Sequence, residues 1–309
     1  MPCLIALVIL SILGLFSASH RQLAREAFDC VFRRLTRQPC QTGFDVKIKA
    51  KMLGPVLARS PKIAGWVYRR FEWLAWGLVM GMTVTSIWTI RGVYNYWAWG
   101  SCQGQFNQGE FCVFDPTNSN NQATGAKGAE CTDSALASQA LSVEGIDQTI
   151  FPRYQNGQIG KPVVLLVGCV ACPFTRQAYP SLKEVLAESQ AEVRFAHYPT
   201  RSETKYLLPY DVCVQTLKPE RFGEYLDRLL TNTPEQVTDK QYVDNLLKEL
   251  GLDQAALNQC LSAETTTRLV QAQQAALLNM GIYGTPTVFI GETALVGPKP
   301  ERVYRRLLD

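Results

Sequence analysis

The chain has 309 residues, 47% of them hydrophobic and 19% charged, which leaves room for one or two globular domains together with membrane segments. Its net charge of +4 is small, but basic residues crowd into positions 1–70, twelve lysines and arginines against Glu26, Asp29 and Asp45. That block lies between two apolar stretches, a placement that speaks for membrane topology and against nucleic acid as a partner.

The first apolar stretch, Leu4–Ala18, is near the short limit for a bilayer span. Ser17, Ala18 and Ser19 would suit signal-peptide cleavage, yet no Lys or Arg precedes the stretch and the positive charge follows it. The second stretch, Phe71–Ile90, has Trp73 and Trp76 at one end and Trp88, Tyr94, Tyr96, Trp97 and Trp99 at the other, like aromatic belts at two interfaces. The reading is a first membrane segment at 1–20, a basic cytoplasmic segment at 21–70 and a transmembrane helix at 71–93. By the positive-inside rule, everything beyond about Arg91 is then exported. The basic segment is broken by Pro39, Pro55 and Pro61 and reads as a surface-lying stretch drawn to anionic membrane lipid.

Residues 94–140 are rich in Gly, Asn, Gln and Ser, lack periodicity, and read as an exported linker. Cys102, Cys112 and Cys131 lie within it. In an oxidising compartment at least one disulfide is expected there; Cys102 with Cys112 would close a small loop, but the pairing stays open.

From Pro162 the sequence runs PVVLLVGCVACPFT. Val163–Val167 is short, apolar and bounded by turn-formers, so it reads as a buried strand ending at Gly168. From Phe174 to Ser189 the apolar spacing becomes helical, through Phe174, Ala178, Leu182, Val185 and Leu186. The strand therefore delivers Cys169, facing outward, to a helix N-terminus, with Cys172 about one turn inside. Backbone N–H groups and the helix dipole favour negative charge there, so the Cys169 thiolate is stabilised and can attack a disulfide, while Cys172 resolves the mixed disulfide. A structural disulfide and half of a zinc site are the competing readings; against zinc, there is no second Cys-x-x-Cys, and His20 and His197 are the only histidines. No metal and no cofactor are expected.

A strand at Glu192–Tyr198 follows, then a helical region over Glu203–Met280 with pieces near 202–217, 220–230, 239–250, 253–261 and 265–280. Gly284–Gly291 reads as a strand opening at Thr285–Pro286, Glu292–Val296 completes a hairpin, and Lys299–Leu308 is a final helix. Strand–helix–strand, helical insertion, hairpin and helix make an α/β domain.

GCVACP after a buried strand, and GTPTVFI after an all-helical region, together resemble the DsbA-like branch of the thioredoxin superfamily. The resemblance covers about Ile146–Asp309. It implies a thioredoxin-like α/β fold at 141–309 with a helical insertion at 202–281, preceded by one or two transmembrane helices. It implies Cys169 as nucleophile, Cys172 as resolving thiol, and a cis Thr285–Pro286 bond where substrate backbone adds to the strand edge. Cys213 and Cys260 sit on insertion helices that could pack together, and read as a structural disulfide, two buried thiols being the other reading. Two features depart from the family. The pair between the cysteines is Val170–Ala171, without the histidine of its strong oxidants, and no buried acid underlies the motif. His197, ending the neighbouring strand, reads as a structural histidine, or as one that approaches the site.

The function expected from all this is a thiol:disulfide oxidoreductase tethered to the bacterial inner membrane with its catalytic domain on the periplasmic side. Its partners would be thiol- or disulfide-bearing exported proteins, a redox partner and membrane lipid. The alternative is a non-catalytic thioredoxin-like interaction module in a membrane or secretion complex.

Overall fold

The computed structural model describes residues 25, 26, 28, 29, 32, 33, 61–105, 111–120, 122–125 and 141–309. The expected first membrane segment at 1–20, most of the basic segment at 21–70, and Cys131 lie outside these residues. The chain divides into two compact units, Met1–Ile90 and Arg91–Asp309.

Helix α1, Pro61–Trp99, begins in the first unit and ends in the second. Among the described residues no helix is long and apolar enough to cross a membrane. The transmembrane helix expected at 71–93 therefore finds no support among the described residues; that stretch belongs to α1, where Gly77, Gly81, Thr83, Thr85, Ser86 and Thr89 lie between the apolar residues. Three of those threonine hydroxyls donate to carbonyls one turn back, at Val79, Gly81 and Thr85. Trp73, Ile87, Trp88 and Ile90 are exposed.

In the second unit, α1 stops at Gly100, whose φ of 74° is left-handed. A Cβ at that position would also stand 2.7 Å from Pro300 Cδ, so glycine is needed twice over. The last carbonyls of α1 accept from arginines near the chain's end: Tyr96 and Trp97 from Arg302, Ala98 from Arg306. Cations suit the negative end of a helix dipole, and the same guanidinium groups lie 4.8 Å from the Tyr96 ring centre and 4.6 Å from that of Trp99. The following loop is closed by a Cys102–Cys112 disulfide.

The remaining elements are β1 Thr124–Gly125, β2 Arg153–Gln155, β3 Val163–Gly168, α2 Pro173–Ser189, β4 Glu192–His197, α3 Leu207–Leu217, α4 Phe222–Thr231, α5 Pro234–Thr238, α6 Lys240–Glu249, α7 Gln254–Ser262, α8 Glu264–Asn279, β5 Gly284–Thr285, β6 Thr287–Ile290, β7 Thr293–Val296 and α9 Glu301–Leu308. The main sheet has the order β2-β4-β3-β6-β7, with β3 and β4 parallel and the other pairs antiparallel. Its central strand is apolar throughout because both faces are covered. Val164 and Leu166 point into a core shared with α2, α3, α4, α6 and α9. Leu165 and Val167 point the other way, onto Phe151, Phe289 and the Ala276–Met280 end of α8.

Between β4 and β5 the described chain is helical, as its composition predicts, with one element more. α5 is only one turn long and owes its existence to a capping box, in which the Thr233 side chain and Gln236 satisfy each other's backbone N–H. The strand predicted over Gly284–Gly291 is split at Pro286, which lacks an N–H. β5 pairs with β1, and β6 with β3 and β7.

Cys213 of α3 and Cys260 of α7 are joined in a disulfide that closes a 47-residue separation. Replacing both by alanine is expected to lower unfolding stability by about 4 kcal/mol through loss of that loop constraint, read as a lower urea midpoint with a slope that rises as the unfolded chain loses its crosslink.

Candidate active site

β3 ends at Gly168, a position crowded enough to require glycine. A Cβ on Gly168 would lie 2.9 Å from Thr175 Cγ2 and 3.4 Å from the Phe195 ring. Residues 169–172 then form a tight turn, with the Cys172 N–H donating to the Cys169 carbonyl at 2.9 Å. Pro173 is the first residue of α2, which makes Cys172 the N-cap and puts Cys169 three residues before it. The placement expected for Cys172, inside the first turn, is thus corrected by the proline, which has no N–H to lose and starts the helix. The outward-facing Cys169 is corrected as well. Cys169 and Cys172 are both reduced and both 0% exposed, packed with Val170 and Ala171 into the larger core.

The turn is held from outside by Arg176, one turn into α2. Its Nε donates to the Val170 carbonyl at 2.7 Å. Its other nitrogens donate to the carbonyls of Leu229, Leu230 and Asn232 at the C-terminal end of α4. One guanidinium thereby ties the cysteine turn to the helical insertion.

His197 closes β4, and the parallel register sets it opposite Gly168, the residue before Cys169. The ring is 5% exposed and its Nδ1 lies 3.1 Å from Asp211 Oδ2 on α3. The other carboxylate oxygen of Asp211 accepts from the Tyr225 hydroxyl on α4 at 2.9 Å. Thr204 Oγ1 is 3.5 Å from Cys169 Sγ and donates to the Arg201 carbonyl. Burial pushes the Cys169 thiol up, but hydrogen bonding and charge from His197, with Thr200 and Thr204, outweigh it and bring the pKa down to about 5. Burial pulls His197 down, and Asp211 and Cys169 more than reverse this, so its pKa is raised. Both shifts describe one arrangement, thiolate beside imidazolium.

The Thr285–Pro286 peptide bond is cis, and the Thr285 carbonyl accepts from Cys172 Sγ at 3.5 Å. The fold therefore brings Cys169, Cys172, Thr285 and Pro286 to one end of the sheet. The edge expected to receive substrate is not open, however. Thr285 and Gly284 are paired antiparallel with Thr124 and Gly125 of β1. Cys213 and Cys260 lie elsewhere, in the insertion. Sequence reasoning overlooked Arg176, Thr204, Asp211 and Tyr225. Asp211 alone left a trace, as an acid within the apolar stretch LLPYDVCV. Among the described residues, no three His, Cys, Asp or Glu side chains gather closely enough to hold a metal ion.

Ultraviolet absorbance of the thiolate reads this electrostatic arrangement directly. A depressed pKa means the thiolate persists as pH falls through neutrality. Its absorbance is expected to vanish only on acidification through about pH 5, not near the ordinary thiol value of 9.0.

A protein-family model described as Thioredoxin matches residues 160–309. No curated protein matches the chain. Among solved structures, the thiol-disulfide exchange protein alpha-DsbA2 from Wolbachia pipientis is 17% identical, covering 52% of this chain and 86% of its own, with a TM-score of 0.46. A periplasmic thioredoxin-like protein from Salmonella enterica serovar Typhimurium is 18% identical over 53% and 92%, with a TM-score of 0.45. The catalytic domain of Proteus mirabilis ScsC is 19% identical over 57% and 94%, with a TM-score of 0.43. With a β3–α2–β4 unit, an antiparallel β6–β7 hairpin and a matching family model, residues 160–309 form a thioredoxin-like domain.

Proposed function

We propose that this domain is a thiol:disulfide oxidoreductase acting on thiol- or disulfide-bearing exported proteins through Cys169 and Cys172. The observation that carries the reading is the pair of reduced sulfurs at a helix start, one of them beside a buried imidazole that stabilises its thiolate. Cys169 attacks a substrate disulfide, a bond forms between the two sulfurs, and the substrate's other sulfur leaves as thiolate. Cys172 then attacks Cys169, releasing the substrate thiol and leaving the intramolecular disulfide; the reverse sequence oxidises a substrate dithiol. Because Cys169 is covered, substrate entry requires local opening, and β1 on the edge of β5 is the segment whose departure would free backbone groups for an incoming peptide.

An oxidising, extracytoplasmic site of action is supported by the Cys102–Cys112 and Cys213–Cys260 disulfides. Association with the bacterial inner membrane is supported by exposed apolar residues of α1, from Trp73 to Trp97, which are costly to leave in water. The full chain expressed in a bacterium is expected to stay with the membrane pellet through an alkaline carbonate wash; recovery in the supernatant would remove this part of the reading.

Full burial of both sulfurs favours a second reading, a non-catalytic interaction module whose cysteines only pack. The two readings part on a glutathione disulfide assay with the full chain. The enzyme reading expects exchange that Cys169→Ser abolishes, and a mixed disulfide at Cys169 that accumulates in Cys172→Ala. No exchange by the unaltered chain under native conditions would leave only the module.

A further inference from the structure

His197 has the environment of a reacting group. It is buried on the last position of β4, and its Nδ1 is engaged by Asp211, which is itself fixed by the Tyr225 hydroxyl. A carboxylate on Nδ1 selects the neutral tautomer whose proton sits on Nδ1, and so leaves Nε2 as a bare, basic nitrogen. Nε2 is buried and finds no hydrogen-bond partner. A core histidine kept for packing would have both ring nitrogens satisfied, because an unmet buried polar atom is costly. Cys169 directly follows Gly168, the cross-strand partner of His197, and besides Asp211 its thiol is the group that acts on the ring.

We infer that His197 is the internal proton acceptor for Cys169, and that Asp211, held by Tyr225, is the positioning residue that aims and charges it. This rests on the reading of Cys169 as nucleophile. The proton passes from Cys169 Sγ to His197 Nε2, giving thiolate and imidazolium, while the Nδ1 proton stays on the ring and is donated to Asp211. When Cys169 sulfur bonds to a substrate sulfur, the substrate S–S bond breaks and a thiolate leaves. The imidazolium, having lost its counter-charge, gives up its proton to that thiolate and returns to the neutral ring. No other oxidant or reductant is involved. The helical insertion, which contributes Asp211 and Tyr225, therefore sets the charge on a sulfur carried by the sheet. The sequence has no buried acid under its motif, and this chain of groups fills that role from the neighbouring strand.

Other ionisable groups bear on the same thiol. Arg176 of α2 is a cation that acts on Cys169 through space, and Cys172 shares its turn. Tyr206, just before α3, and Tyr210 within it act on Tyr225. His197→Gln isolates the imidazole from these, and Asp211→Asn keeps the shape of the aiming residue while removing its charge.

The test is a pH titration of thiolate absorbance in the full chain, unaltered and in both variants, with the imidazole followed by nuclear magnetic resonance. Only His20 competes for the signal. In the unaltered chain, the His197 ring is expected to stay charged beside the thiolate from about pH 5 up to about pH 9. His197→Gln should move the thiolate midpoint up by two units or more, and Asp211→Asn should move it part of the way. The dithiol–disulfide equilibrium with glutathione should shift toward the disulfide by about tenfold for each unit. A thiolate midpoint unmoved in His197→Gln, or a ring that stays neutral beside the thiolate in the unaltered chain, overturns the inference. The ring measurement needs no variant, so a variant that fails to fold does not shield the idea. If the midpoints shift as expected while glutathione disulfide is not turned over, the proton chain stands and the exchange activity fails.

Discussion

In-register pairing of β3 with β4 carries Gly168 opposite His197, so the two strands stop at the same level. The chain leaving β3 must turn at once, because Thr175 and Phe195 leave no room for a side chain on Gly168. The next residue is Cys169, and the last side chain of the neighbouring strand is an imidazole. Everything else at this end of the molecule follows from that coincidence of strand ends. α2 starts where Pro173 allows it, Arg176 ties the turn to α4, and the β5–β6 break at Pro286 brings a carbonyl to Cys172.

The helical insertion has a part in the site beyond covering the sheet. Its α3 presents Asp211 from among Leu207, Tyr210, Val212, Cys213 and Val214, all buried. A carboxylate in such surroundings is tolerable only with its oxygens engaged, and His197 and Tyr225 engage one each. Buried charge pairs seldom add stability over a well-packed apolar alternative, since desolvation cancels most of the attraction. The Cys213–Cys260 disulfide and the α3 contacts with α7 and α8 supply rigidity instead. The insertion can therefore hold a polar group that by itself would weaken the fold.

Much of the fold could be read from residue order because its signals are local. The run Val163–Val167, the proline after Cys172, and the switch from period two to helical spacing each act over a few residues. What escaped is of the other kind. α5 is one turn made by a capping box, too short for any periodicity. The β1–β5 pairing involves two residues of a Gly- and Asn-rich stretch, and nothing in that stretch marks them as a strand. Asp211 and Tyr225 meet His197 only after three separate elements have packed, so no spacing encodes the contact. The burial of Cys169 escaped for a similar reason. A helix start predicts stabilised charge, but which segments lie over it is decided by distant chain.

The interior's unmet polar atoms bear on why the cysteine turn is built this way. Thr175, His197, Thr200 and Thr285 each carry a buried side-chain atom with no hydrogen-bond partner. Thr175 touches the site of Gly168, His197 pairs with that residue across the strands, Thr200 acts on Cys169, and the Thr285 carbonyl meets Cys172. A neutral thiol is a weak hydrogen-bond partner and leaves such groups largely unmet. A thiolate is a strong one, and in a site of low dielectric its hydrogen bonds gain strength. The polar cost at His197 and Thr200, the two of these that act on Cys169, thus falls when Cys169 ionises. Burial, which by itself disfavours the charge, makes each donor aimed at it count for more.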